Sequence, residues 1–256
     1  MSREWITSRT NPLMVRLRKL NGKRSARRAE GVMVGEGPKL LEEAVAWGAQ
    51  LETVVCAQGV ALPDLPAWVR VVEVPQDLLE SIADTQSPQG VLFVCRVQAQ
   101  SLPTRPEGSR YLVLDGIQDP GNLGTIWRTA DAFAADGLIL APGCADPWSP
   151  KAVRATMGAA FRLPVYEDTL EGAAGKLAAA GIPLYATALR DDTEDLRQVP
   201  LHRAAVIIGS EGRGVSQASL DLCQKTVKIP MSPRCESLNA AAAATVVLWE
   251  MSRGLL

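Results

Sequence analysis

The stretch LDGIQDPGNLGTIWRTADAF, residues 114–133, leaves an apolar run, turns on glycine, proline and asparagine, and enters a helix. Gly121 and Gly124 permit close backbone approach, Asn122 can cap the helix or hold the turn, and the helix amides behind it suit an anionic partner. Arg128 follows one or two turns later, where a planar guanidinium can grip a phosphate; a capped helix with a surface arginine is the plainer alternative. Around this unit, strand-like runs at 111–114, 137–141, 183–187, 204–208 and 226–229 alternate with helical segments. Such alternation predicts an α/β fold with a mainly parallel sheet, helices on both faces, and ligands beyond the carboxyl ends of the strands.

Two further segments carry the same signature. VIIGSEGRGVS, residues 206–216, ends an apolar strand in a turn with Gly209, Gly212 and Gly214 around Glu211, a backbone pressed against something: a small ligand, or only itself. KIPMSPRCESLNAAAAATVVLWEMSR, residues 228–253, ends a strand near Pro230 and starts a long helix near Ser237, with Ser237 or Glu236 as the expected cap. Ser237 and Asn239 cluster at that helix entrance, which packing alone does not require.

Upstream, Leu13, Leu17 and Leu20 have helical spacing, and helical and β-type runs up to Val97 predict a small α/β unit. The stretch QAQSLPTRPEGS, residues 98–109, with two prolines and a glycine, reads as a linker. The expected domains are therefore 1–97 and 110–256. Residues 1–30 hold nine Lys/Arg against two Glu, a balance of +7; as the whole chain carries −1, the remainder carries −8. Arg9, Arg16, Arg18, Lys19, Lys23, Arg24, Arg27 and Arg28 form a strip able to neutralise phosphates, or simply a solvated basic helix.

Several classes are disfavoured. No apolar run is long enough to cross a bilayer, and the composition is that of a soluble protein with no membrane partner. Five scattered cysteines without a CxxC pair predict neither a disulfide framework nor a metal site and fit the cytoplasm. The N-terminus lacks a secretory apolar region; its Arg and Ser content permits a mitochondrial presequence, against which Glu4 counts. GxxxxGK[ST] is absent and GEGPKL, residues 35–40, lacks the last glycine of GxGxxG, which argues against a nucleotide hydrolase and a dinucleotide-dependent oxidoreductase.

In order and spacing, Asn122-Gly124-Arg128, Gly209-Glu211-Gly212 and Pro230-Met231-Ser237-Leu238-Asn239 closely resemble the three motifs of the SpoU family of SPOUT RNA methyltransferases. TSRTNPL and VGEGPKLLEEA, within residues 1–95, look like the small substrate-binding domain that precedes the catalytic domain in several rRNA methyltransferases of that family. Ala134 departs from the pattern, standing where the family often has glycine.

The resemblance implies a C-terminal trefoil knot, which is an exception to the usual avoidance of knots. It also implies S-adenosylmethionine as cofactor, gripped at Gly209, Ile229, Leu238 and Thr187, and a homodimer. The activity implied is methylation of a ribose 2′-hydroxyl, in rRNA rather than tRNA because of the N-terminal domain. Arg128 is the residue nominated at the hydroxyl, as base, alone or with an RNA phosphate, or as a positioning and charge-stabilising group. Asn122, Glu211, Ser237 and Asn239 would order the loops and bind substrate or cofactor. A tRNA 2′-O-methyltransferase and a non-catalytic RNA-binding or ribosome-assembly factor with the same fold are the alternatives.

Overall fold

The computed structural model describes residues 3–97, 100–190, 192–235 and 237–255. The chain forms two compact units, Met1–Gln98 with Asp146–Phe161, and Ala99–Ala145 with Arg162–Leu256.

The first unit runs β1 (Glu4–Trp5), α1 (Pro12–Gly22), α2 (Arg24–Glu30), β2 (Val32–Glu36), α3 (Pro38–Ala46), β3 (Leu51–Ala57), β4 (Arg70–Val74), α4 (Gln76–Glu80) and β5 (Val91–Arg96). Asn11 caps α1, its Oδ1 accepting the Leu13 N–H at 2.9 Å, which places the predicted helix where its leucine spacing put it. The strands form one mixed sheet, β1-β4-β3-β5-β2, in which β5 is antiparallel to both β3 and β2. Alternate residues of β3 serve opposite cores, as strand geometry requires: Val55 and Ala57 join Leu13, Met14 and Leu17 of α1, while Val54 and Cys56 join Leu40 and Leu41 of α3.

In the second unit β6 (Arg110–Asp115), α5 (Pro120–Ala132) and β7 (Gly137–Leu140) come first. The chain then supplies α6 (Pro150–Ala155) to the first unit, where Val153 and Trp148 pack with Phe93 and Val54. It returns through β8 (Val165–Glu167), α7 (Leu170–Ala179), β9 (Leu184–Thr187), β10 (Glu194–Asp195), β11 (Ala204–Gly209), α8 (Gln217–Leu222), β12 (Lys225–Lys228) and α9 (Ala240–Ser252). All seven strands are parallel, in the order β10-β12-β9-β11-β6-β7-β8. The interior stretches of the central strands, such as Tyr111–Leu114 and Ala204–Ile208, are apolar at every position because both faces are covered. Tyr111, Val113, Ala205 and Ile207 meet α7 on one face, while α9 packs on β11 and α5 on the other.

Helix termini explain two departures from the sequence expectations. Asn239, not Ser237, caps α9: its Oδ1 accepts from Ala241 and Ala242 at 2.9 and 3.3 Å, so the helix starts at Ala240 and Ser237 stands ahead of it. The other candidate cap, at position 236, lies outside the described residues. α5 ends in a Schellman motif, with Ala134 donating to Asp131 O at 3.1 Å and Ala135 to Ala130 O at 2.9 Å. Ala134 accordingly sits at φ +52°, the left-handed region that glycine fills in the corresponding ending of α7, Gly181 at +69°. That geometry accounts for glycine as the family's usual residue at this place.

Candidate functional site

At the carboxyl ends of the parallel strands, three turns separated widely in sequence meet. Asp119 caps α5 by accepting the Asn122 N–H at 2.8 Å, which leaves the Asn122 side chain free to point away from the helix start. Its Nδ2 donates to Glu211 Oε1, while its Oδ1 accepts from Asn239 Nδ2 at 3.3 Å. One residue from each predicted motif therefore joins in a single chain of hydrogen bonds, Asn239 to Asn122 to Glu211. The donors and acceptors run in one direction and end on a carboxylate, the arrangement in which neighbouring dipoles reinforce one another.

The turn bearing Glu211 folds back onto its own strand. Ser210 and Gly214 exchange backbone hydrogen bonds of 3.1 and 2.9 Å. A Cβ at Gly209 would lie 2.1 Å from the Gly214 carbonyl carbon and 2.2 Å from the Val215 nitrogen, so only glycine fits. Beside this turn lies a cavity of about 390 Å³ whose walls include Thr187, Val215, Ile229, Ser237 and Leu238. Three of the four residues expected to hold a cofactor, Thr187, Ile229 and Leu238, thus line one cavity; Gly209 is not a wall residue but sits beneath the turn that is. Thr187 is fixed by its hydroxyl, which donates to Ile207 O at 3.0 Å across the β9–β11 pair. Among the described residues, the charged wall residues are Arg190, Arg213 and Lys228, all cationic.

Arg128 is exposed on α5, forms no hydrogen bond or ion pair among the described residues, and is not a wall residue of the cavity. An uncommitted guanidinium on that surface is available to a phosphate. The N-terminal basic strip is less available than its charge suggests. Arg27 is buried and donates to Asp146 Oδ2 through Nη2 at 2.6 Å and Nε at 3.1 Å; Arg16 pairs with Glu30 and Glu52 at 2.7 and 2.9 Å. Arg18 spends its guanidinium on the Ser81 carbonyl and hydroxyl and on the Arg9 carbonyl. Lys19 and Lys23 remain exposed. Sequence reasoning passed over Asp115, at the end of β6, because its partners stand about a hundred residues away.

Residues 109–249 match the model of the SpoU rRNA Methylase family, and residues 11–92 match an MRM3-like substrate binding domain. The chain is 30% identical to the 23S rRNA (guanosine(2553)-2′-O)-methyltransferase of Bacillus subtilis, over 96% of this chain and 98% of that protein. It is 32% identical to the 23S rRNA (uridine(2479)-2′-O)-methyltransferase of Streptomyces viridochromogenes, over 97% of this chain and 91% of that one. Its structure is similar to that of an AdoMet-bound rRNA methyltransferase from Sinorhizobium meliloti, with a TM-score of 0.89, 31% identity and coverage of 99% and 98% of the two chains.

Proposed function

As the chain belongs to the SpoU rRNA methylase family, we propose that it is an S-adenosylmethionine-dependent methyltransferase acting on a ribose 2′-hydroxyl of rRNA. The observation that carries this reading is the chain of hydrogen bonds from Asn239 through Asn122 to Glu211 beside a cavity walled by Thr187, Ile229 and Leu238.

The cavity suits the cofactor. Its volume of about 390 Å³ falls in the range of small-ligand sites, roughly 300–1,000 Å³. Leu189, Val215, Leu220, Ile229 and Leu238 offer apolar surface to an adenosine, and Arg213 and Lys228 complement a carboxylate, Arg190 being paired with Asp192 at 3.1 Å. Bound there, S-adenosylmethionine supplies an electrophilic methyl group on a sulfonium. Membership of the family supports a knotted catalytic domain over 110–256, with 1–97 as the RNA substrate domain, to which residues 146–161 return.

Asn122, Glu211 and Asn239 hold the turns in register, and Ser237 stands at the cavity wall, where its hydroxyl can bond substrate or cofactor. Arg128 receives the RNA, pairing with a phosphate and stabilising negative charge on the ribose oxygen as its proton passes to water, the oxygen taking the methyl as the cofactor would leave as S-adenosylhomocysteine. α9 exposes Ala242, Val246 and Trp249, spaced four and three residues apart along one face, with Trp249 edge-on to Phe133 at 5.7 Å between ring centres. This apolar stripe supports a homodimer built on α9. The compartment that fits is the cytoplasm.

The test is transfer of labelled methyl from S-adenosylmethionine to rRNA, ribosomal particles and tRNA, followed by nucleoside mass spectrometry. A 2′-O-methylnucleoside from the rRNA fractions is expected. Label on a base, or none in any fraction, refutes the assignment, and label confined to tRNA moves the substrate. Arg128→Ala should keep cofactor binding by calorimetry and lose transfer by about a hundredfold or more; unchanged turnover removes Arg128 from the chemistry.

A further inference from the structure

The connection between β6 and α5 holds the β11–α8 turn at a second point, separate from the Asn122–Glu211 bond. Asp115 closes β6, and one of its oxygens, Oδ2, accepts the Ser216 backbone N–H at 2.9 Å and the Ser219 hydroxyl at 2.7 Å. Ser216 in turn caps α8, its Oγ accepting the Ser219 N–H at 3.2 Å. Ser219 is fully buried, whereas Ser216 is exposed. Between the strand end and this anchor lie Arg213, Gly214 and Val215, which form one wall of the cavity.

We propose that Asp115 is a positioning residue for the cofactor, fixing the 213–215 wall through Ser216 and Ser219 without itself touching the ligand. That role presupposes the methyltransferase reading above and follows from three physical features of the turn. First, the turn is pinned from behind by the backbone pairing of Ser210 with Gly214, so its remaining freedom lies toward Ser216. Second, an anionic oxygen taking two hydrogen bonds holds more strongly than a neutral acceptor. Third, without the carboxylate the exposed Ser216 N–H can turn to water and the buried Ser219 hydroxyl is left with Ser216 Oγ at 3.1 Å, a partner inside the same turn, so the tie from the turn to the end of β6 is lost. A wall that shifts loosens the grip on the cofactor before it alters chemistry on a cofactor already bound.

The experiment uses the full chain and S-adenosylmethionine itself. Asp115→Ala, Asp115→Asn and Ser219→Ala are compared with the parent by calorimetry and by kinetics at saturating rRNA. For Asp115→Ala, Kd and KM for the cofactor are expected to rise about tenfold or more, with kcat within about twofold. Asp115→Asn, which keeps an acceptor oxygen, should recover a large part of the affinity. Ser219→Ala should weaken binding alone but add little in combination with Asp115→Ala. A lowered melting temperature with unchanged Kd, or a fall in kcat at fixed KM, overturns the proposal. If Asp115→Ala does not fold, Asp115→Asn and Ser219→Ala decide by the same criteria. A parent protein that binds no S-adenosylmethionine overturns the methyltransferase reading instead.

Discussion

Asn239 has two separable duties, and a single atom exchange divides them. Its Oδ1 caps α9 through the Ala241 and Ala242 N–H groups, and its Nδ2 donates to Asn122 at 3.3 Å. In Asn239→Asp the cap survives, because aspartate serves at this position as well as asparagine and adds a favourable charge at the helix start. The donor is lost. Asn122 then stands between two carboxylates, the introduced one and that of Glu211, with one NH₂ and one oxygen to offer; whichever way its amide turns, an oxygen faces an oxygen. Asn239 and Glu211 are exposed, so water relieves the unmet contact and its cost in stability is about 0.5–1 kcal/mol, offset by the charge gained at the helix start. Asn239→Ala loses the cap as well, about 1 kcal/mol, or some 2–4 °C in Tm for a chain of this size. The expected pattern is a Tm for Asn239→Asp within about 2 °C of the parent and methyl transfer down tenfold or more, against a lowered Tm for Asn239→Ala. Melting followed by circular dichroism and labelled-methyl transfer supply the two readouts. Near-parental transfer by Asn239→Asp would refute the role given to the hydrogen-bond chain.

Ala134→Gly removes a left-handed alanine at φ +52°, so it should raise Tm by a few degrees, worth about 0.5–1 kcal/mol; a drop in Tm would show that the Schellman ending carries no strain. Asp146→Asn leaves the Arg27 guanidinium, 6% exposed, without its anion, and two backbone carbonyls remain as partners. Urea unfolding should report a loss of about 3 kcal/mol, the lower end for a broken buried pair, and a loss under 1 kcal/mol contradicts it. Burial pushes the Cys95 and Cys223 thiols up to about 12, and burial and nearby carboxylates do the same for the Tyr111 hydroxyl. These acids stay protonated in the folded chain while the unfolded thiols ionise from their ordinary value of 9.0. Above that pH the unfolded state binds fewer protons, so Tm should fall steadily from pH 9 toward 12, less so in Cys223→Ala, and a flat profile to pH 11 refutes the shift.

The second unit was legible because its strands are covered on both faces. Runs such as Ala204–Ile208 and Tyr111–Leu114 are apolar without interruption, and each leads into a glycine-bearing turn. β8 and β10, three and two residues long, carry no such signal, since edge strands need little apolar content. The meeting of Asn122, Glu211 and Asn239 was suggested by motif resemblance, yet their hydrogen bonds span 89 and 117 positions and have no local signature. The same distance effect hid Asp115 and turned Arg27 from a candidate phosphate ligand into a buried partner of Asp146, 119 residues away. At the α9 cap, Ser237 and Asn239 are both suitable residue types, and composition alone did not rank them.

The excursion of residues 146–161 bears on how far the two units behave as interchangeable parts. Val153, Trp148 and Phe161 complete the apolar cluster around Phe93, and Asp146 neutralises Arg27. The chain therefore passes between units three times, and a cut in the 98–109 stretch severs only one crossing. A gene fragment ending at residue 97 would encode a substrate unit with a gap in its core and a naked buried cation. Recombination that grafts this unit onto another catalytic partner must carry the β7–β8 connection with it.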